Sequence, residues 1–324
     1  MKIQVEYKKT ESGKPENLTY NLTRLAFVKH LAISGQAYAP KMQKLVRAIG
    51  MFLHYNKYIQ RKEFYVGNRF SEPPFELSDP TEKGQFSNLA GKAIADFLSK
   101  KINRSIYTVN YEAAMRINNM KITGKRPDLL AFNKKGMFAI EAKGYSSSGC
   151  GDMAQHKEQS KAGNIKVNFS VASVSYGLYN QVKCKYHDPF NDNVPFDNEL
   201  LKQLTKKYYS GLYSFLNQEY FEINRIKIQD EFFYELKPSG ILLDKIFINY
   251  FPFYHSFIFD KYFYLEYRKY YEHYNPRLIL PINIEKYAEE GITNNFEPFI
   301  FENREEDQNI YIDNDRIGLR VKGR

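Results

Sequence analysis

Only two cysteines, Cys150 and Cys184, occur in the 324 residues, and neither a CxxC pair nor a closely spaced pair of histidines accompanies them. A disulfide framework and a Cys/His zinc site are therefore not expected, which suits a reducing compartment. Tryptophan is absent, so the aromatic content rests on 27 Tyr and 25 Phe. No long apolar run exists either. The most apolar stretch, Ile241 to Phe259, is broken by Asp244, Lys245, Asn249, Pro252 and His255, too often for a membrane span. Residues 1–14 lack the apolar core of a signal peptide, so a soluble cytoplasmic protein is expected. There is no phosphate-binding glycine loop or dinucleotide fingerprint, and Ser146–Ser148 have no nucleophile elbow around them. These absences speak against an ATPase, a dehydrogenase and a serine hydrolase.

What is present in excess is positive charge. Lys and Arg number 47 against 37 Asp and Glu, a formal charge of +10. Such a chain is drawn to polyanions, nucleic acid among them. The excess is local: between Lys100 and Lys166 about 13 basic residues face 5 acidic ones. With 43% hydrophobic and 26% charged residues, the chain is expected to fold rather than remain disordered.

Periodicity divides the chain into three regions. Residues 1–75 read as mostly helical, with a short strand at Lys2–Tyr7 and helical patterns at Thr23–Ile33 and Lys41–Tyr58. The two helices, joined through Ser34–Gly35 and Pro40, are either packing helices or a helix-turn-helix. A Pro-rich passage, Ser71 to Pro80, marks a boundary. Residues 76–222 give the clearest pattern. Thr81–Ile102 carries Phe86, Leu89, Ala90, Ala93, Ile94, Phe97 and Leu98 on one helical face, with Thr81 placed to cap it. Strands are expected at Ile106–Met115, Asp128–Phe132 and Met137–Lys143. The last two are joined by a turn, Asn133–Gly136, whose glycine suits a positive φ. A Ser/Gly loop, Gly144 to Gly151, then leads to a polar helix at Asp152–Ala162, a strand at Val167–Tyr176 and a helix at Asn198–Glu219. Residues 223–324 are aromatic-rich and read as a further α+β region, as in Phe251–Phe257 and Tyr262–Tyr270. The Tyr262–Tyr270 stripe fits either core or a surface that stacks bases or grips a protein.

The turn fixes a register. If Phe132 lies opposite Met137, Asp128 lies opposite Glu141, with Cβ atoms about 4.5–5.5 Å apart. Lys143, two positions on, shares their face, while Ala142 points away and leaves its carbonyl free to help hold an ion. Two carboxylates that close favour a cation between them, and Mg²⁺ commonly takes one or two carboxylates plus water and phosphate. A nearby ammonium can orient the attacking water while the metal neutralises developing charge. Such a set suits cleavage of a phosphodiester.

Pro127-Asp128, twelve residues, then Glu141-Ala-Lys143 resembles the PD-(D/E)xK motif of the restriction-endonuclease-like nucleases. The helix–three strands–helix–strand order over about Thr81 to Tyr179 is similar to that family's core. The resemblance implies an α/β (α+β) fold built on that core as a mixed sheet, with N-terminal helical and C-terminal α+β additions. It implies Asp128 and Glu141 as metal ligands, Lys143 as the lysine that assists the water, and Mg²⁺, with Mn²⁺ as a possible substitute. A further acid on the first core helix often joins such sites. Here Glu82, with Gln85 one turn later, Asp96, or Glu112 on the first strand could serve. Some relatives line the site with a Gln from the next helix, for which Gln155 or Gln159 is placed. Lys125 and Arg126 precede the motif and would face DNA. His156 is near the motif, whereas His30, His54, His187, His255 and His273 read as structural.

The function expected from this resemblance is a DNA endonuclease of restriction or anti-phage defence, with RNA still open as substrate. A homodimer, or a partner protein that recruits or activates it, would fit. The alternatives are a nucleic-acid-binding protein on an inactive nuclease-like scaffold and a partner-gated effector module.

Overall fold

A computed structural model describes residues 1–10, 12–35, 67–71, 80–188, 195–243, 269, 272–301 and 309–322. The expected helix at Lys41–Tyr58, and with it the helix-turn-helix, lies outside the described residues. So do nearly all of the Ser71–Pro80 passage, Phe251–Phe257 and the Tyr262–Tyr270 stripe.

Two strands open the chain: β1 (Lys2–Lys8), where the strand Lys2–Tyr7 was expected, and β2 (Glu16–Asn21), which was not. Helix α1 (Arg24–Ile33) follows, capped by Thr23, whose Oγ1 accepts from the Ala26 N–H at 3.1 Å. The long helix α2 (Pro80–Ile102) starts one residue before Thr81, so Thr81 lies in its first turn rather than capping it. Strand β3 (Thr108–Asn110) is shorter than Ile106–Met115 because Asn110 caps a new helix, α3 (Tyr111–Ile117), with its Oδ1 accepting from Ala113 N–H at 3.0 Å. Glu112 therefore sits on a helix, not a strand.

Then come β4 (Leu129–Asn133), β5 (Gly136–Gly144), α4 (Met153–Lys161), β6 (Phe169–Tyr176) and β7 (Lys183–His187). The β4–β5 turn is held by Asn133 Oδ1, which accepts from Lys135 N–H at 2.9 Å and Gly136 N–H at 3.0 Å. Gly136 does not take a positive φ. Its hydrogen is needed instead because a Cβ there would collide with the Asn168 side chain, which accepts from Met137 N–H at 2.8 Å.

The seven strands form one mixed sheet in the order β2-β1-β7-β6-β5-β4-β3, so the fold is mixed α/β. Parallel pairs β5–β6 and β1–β7 are flanked by antiparallel ones, and α4 provides the crossover from β5 to β6. Strands β4, β5 and β6 are buried on both faces, which is why Leu129–Phe132 and Met137–Ile140 run apolar without alternation. Helices α2 and α4 both pack against β5 and β6. Because β1 pairs with β7, residues 2–8 belong to the same sheet as residues 108–187.

Helix α5 (Asn198–Tyr213) ends before the expected Glu219, since Asn217 Oδ1 turns the chain by accepting from Glu219 N–H at 2.9 Å. The strands β8 (Phe221–Ile228), β9 (Glu231–Pro238), β10 (Arg277–Pro281), β11 (Ile310–Ile312) and β12 (Gly318–Arg320) make a second sheet, ordered β11-β12-β10-β9-β8. Helix α6 (Ile284–Glu290) packs on α5. Strands and a helix thus both occur in the C-terminal part of the chain. That part is fastened to α1 and α2 by a buried ionic cluster. Lys29 Nζ meets Asp313 at 3.0 Å and Asp315 at 2.7 Å, and Lys100 Nζ meets the same two at 2.9 and 3.2 Å. His30 bridges Asp96 (2.6 Å) and the Tyr311 hydroxyl (3.0 Å), which bears out its structural reading. Burial alone would raise the Asp96 carboxyl, but Lys100 and His30 outweigh it and hold it down at about 2. Among the described residues, no helix is long and apolar enough to cross a membrane.

Candidate active site

The hairpin register is the one the turn implies, with Phe132 opposite Met137 and Leu129 opposite Ile140. Asp128 lies just before β4, where the pairing steps off the hairpin register. Its N–H donates to Ile140 O at 3.0 Å, and its Oδ2 accepts from Ala142 N–H at 3.1 Å. Strand β5 therefore holds the Asp128 carboxylate through its own backbone. The contact that Ala142 makes here is through its N–H.

Glu141 is fully buried, with 0% of its surface exposed. Lys143 Nζ stands 2.5 Å from its Oε1, at ion-pair distance but outside hydrogen-bonding geometry, and Oε2 has no hydrogen-bond partner among the described residues. A buried carboxylate so poorly satisfied is costly. Burial, and then the charge of Asp128, push the Glu141 carboxyl up to about 7, against the pull of Lys143 and Lys92. For Lys143 the balance is the reverse. Burial works against its charge, but Glu141 and Asp128 more than compensate and hold its pKa above the ordinary value. Lys143 is an ammonium at neutral pH.

Sequence reasoning missed Lys92. It projects from α2, and its Nζ lies 3.2 Å from Asp128 Oδ1. The signal for it was Gly91, a glycine inside a helix, where it costs about 1 kcal/mol relative to Ala and so marks a close approach. A Cβ on Gly91 would meet the backbone of Lys143 and Gly144, and one on Gly144 would meet the Ser87 carbonyl. Neither backbone can yield as a side-chain tip does. Gly91→Ala is expected to destabilise the protein by about 1–3 kcal/mol despite the better helix propensity of alanine. Urea unfolding of the variant checks this, and a neutral or stabilising result would mean that α2 does not rest on β5 so closely.

The other candidates are placed as follows. Asp96 is committed to His30, Lys100 and the Thr108 hydroxyl. Glu112 pairs with Arg126, which also donates to Gly124 O. Glu82 lies ten residues before Lys92 on α2, about 15 Å along the helix axis. Gln85, Lys125 and Gln155 are exposed, and Gln159 Nε2 donates to Arg126 O at 3.4 Å. His156 is buried on α4, with Nε2 3.1 Å from the Tyr145 hydroxyl, and burial and then Lys143 lower its pKa.

Among the described residues, no group of three or more His, Cys, Asp or Glu side chains is arranged to hold a metal ion. The structure brings together Asp128, Glu141, Lys143 and Lys92. No family model, curated protein or solved structure matches the chain.

The donor set still fits a hard cation. Two neighbouring carboxylates, one of them buried with an oxygen that no donor among the described residues satisfies, suit an oxygen-seeking ion such as Mg²⁺ when water and phosphate complete its shell.

Proposed function

We propose that the chain is a metal-dependent nuclease that hydrolyses phosphodiester bonds of DNA at a PD-(D/E)xK-type site, with Asp128, Glu141 and Lys143 at its centre. The observation that carries this reading is Glu141, a buried carboxylate with one oxygen beside the Lys143 ammonium and the other without a donor among the described residues, close enough to Asp128 for that charge to raise its pKa. Helix α2, the strands β3, β4 and β5, helix α4 and strand β6 follow one another as in the restriction-endonuclease-like core, with α3 inserted between β3 and β4. Asp128 and Glu141 would hold Mg²⁺, which supplies two positive charges to the phosphate under attack. Lys143, kept protonated by the carboxylates, donates to a phosphate oxygen or orients the attacking water. The local excess of Lys and Arg attracts the nucleic acid.

Plasmid DNA incubated with wild-type or Lys143→Ala protein, in Mg²⁺, Mn²⁺ or EDTA, tests the reading on a gel. Metal-dependent nicking that falls by about 100-fold or more in the variant is expected. Equal cleavage by both proteins would sink it, and an RNA substrate run alongside decides the nucleic acid.

A second reading has its own observation. Lys92 already sits on Asp128, as the cation of an inactive, nucleic-acid-binding scaffold would. It predicts salt-sensitive DNA binding and no product with any divalent ion.

A further inference from the structure

Four ionisable groups meet at the site, and with Glu141 ionised their charges cancel. Asp128 and Glu141 supply two negative charges, and Lys92 and Lys143 two positive ones. A divalent ion placed between the carboxylates would stand beside two ammoniums already there. Like charges at such range repel strongly enough that one ammonium has to leave. The two lysines differ in their freedom to do so. Lys143 lies on β5 two residues from Glu141 and reaches a fully buried carboxylate that has no hydrogen bond. Lys92 belongs to a different element, and its side chain is 36% exposed. Its backbone is fixed, because Gly91 next to it rests on the end of β5, so only the flexible stem has to move. Asp128 has one oxygen secured by Ala142 N–H, and the other, Oδ1, is the one that Lys92 holds.

We infer that Lys92 is an exchangeable counter-cation, which guards Asp128 Oδ1 until a nucleic-acid phosphate draws it off, so that nucleic-acid binding and divalent-ion binding reinforce each other. The inference rests on the metal-dependent reading above. An ammonium is a compact charge with three rotatable donors, and it serves a phosphate oxygen as readily as a carboxylate. A partly exposed ion pair is worth little, so the exchange costs little. Coupling of this kind is reciprocal: whatever factor DNA adds to ion affinity, the ion adds to DNA affinity.

Calorimetric titration with Ca²⁺, a hard cation that seeks oxygen ligands, tests this without cleavage as the readout. Wild type, Lys92→Ala, Lys92→Met and Glu141→Gln are each titrated with and without a short DNA duplex. Lys92→Met keeps the aliphatic stem and guards against a packing defect in Lys92→Ala. In wild type the duplex is expected to tighten Ca²⁺ binding roughly fivefold. Without DNA, the two Lys92 variants are expected to bind Ca²⁺ roughly fivefold tighter than wild type, and the duplex then adds little. Glu141→Gln is expected to bind none at this site. If wild type binds Ca²⁺ through Glu141 but the Lys92 variants bind no tighter, the inference fails and the metal-dependent reading stands. If no protein binds Ca²⁺, or Glu141→Gln binds it as well as wild type does, the metal reading fails and takes the inference with it.

Discussion

Replacing Glu141 by Gln is expected to make the protein more stable at neutral and alkaline pH while removing the metal-dependent cleavage proposed above. Burial and Asp128 raise the Glu141 carboxyl from 4.5 to about 7 in the folded chain. Below pH 4.5 the group is protonated whether folded or unfolded and contributes no pH dependence. Between about pH 4.5 and 7 the unfolded chain gives up this proton while the folded chain keeps it, so stability falls as pH rises. Above pH 7 the full penalty applies, about 3 kcal/mol at 1.36 kcal/mol for each pH unit. Glutamine carries no such penalty. From pH 4 to pH 8 the variant should therefore gain about 3 kcal/mol on the wild type. Urea melts at the two pH values measure this, and parallel stability profiles would show that Glu141 is not held in a costly state. Saturating Mg²⁺ at pH 8 should stabilise the wild type and leave the variant unchanged.

Asp315→Ala is expected to cost more, about 3–5 kcal/mol, because it removes one partner from a buried ionic cluster. The Asp315 carboxylate receives Lys29 at 2.7 Å, Lys100 at 3.2 Å and the Tyr208 hydroxyl at 2.7 Å, all out of contact with water. Its loss leaves two buried ammoniums to share Asp313 and Asp96. Asp315→Asn should recover part of the loss, since an amide oxygen can still accept from the Ile317 N–H, now 3.0 Å from Oδ1. Denaturant unfolding of the two variants measures the difference, and a loss under about 1 kcal/mol for Asp315→Ala would mean that the cluster is no brace. Asp96 is held at about 2 against an ordinary 3.8, so its contribution is complete above pH 3.8 and disappears only as pH falls through about 2. Burial lowers the His30 pKa, so at that residue stability is lost as pH falls below 6.5. Both contributions are common to the wild type and Glu141→Gln and cancel from their comparison between pH 4 and pH 8.

Not every expectation from the sequence survived folding. Asn110 ended β3 early by capping α3, which a run of strand-like residues did not announce. Glu16–Asn21 formed an edge strand in which only Leu18 and Tyr20, alternating with polar neighbours, lie half-buried against the core. Asp96 and Glu112 looked available as ligands only because their partners, His30, Lys100 and Arg126, are not evident from sequence spacing.

The sequence by itself determined the local geometry. Apolar spacing located α2, a polar stretch after the Ser/Gly loop located α4, and the Asn133–Gly136 turn set the β4–β5 register, with Phe132 opposite Met137 and Leu129 opposite Ile140. These features depend on hydrogen bonds and side-chain periods within a few residues of each other, so a local pattern can encode them. Only the tertiary structure decided that Glu141 is sealed from water, that Lys92 reaches Asp128 and that Lys29 meets Asp313, 284 residues away. Those depend on how α2 settles on the sheet and on where the 310–320 strands return, and solvent exclusion at a point is a property of everything packed around it.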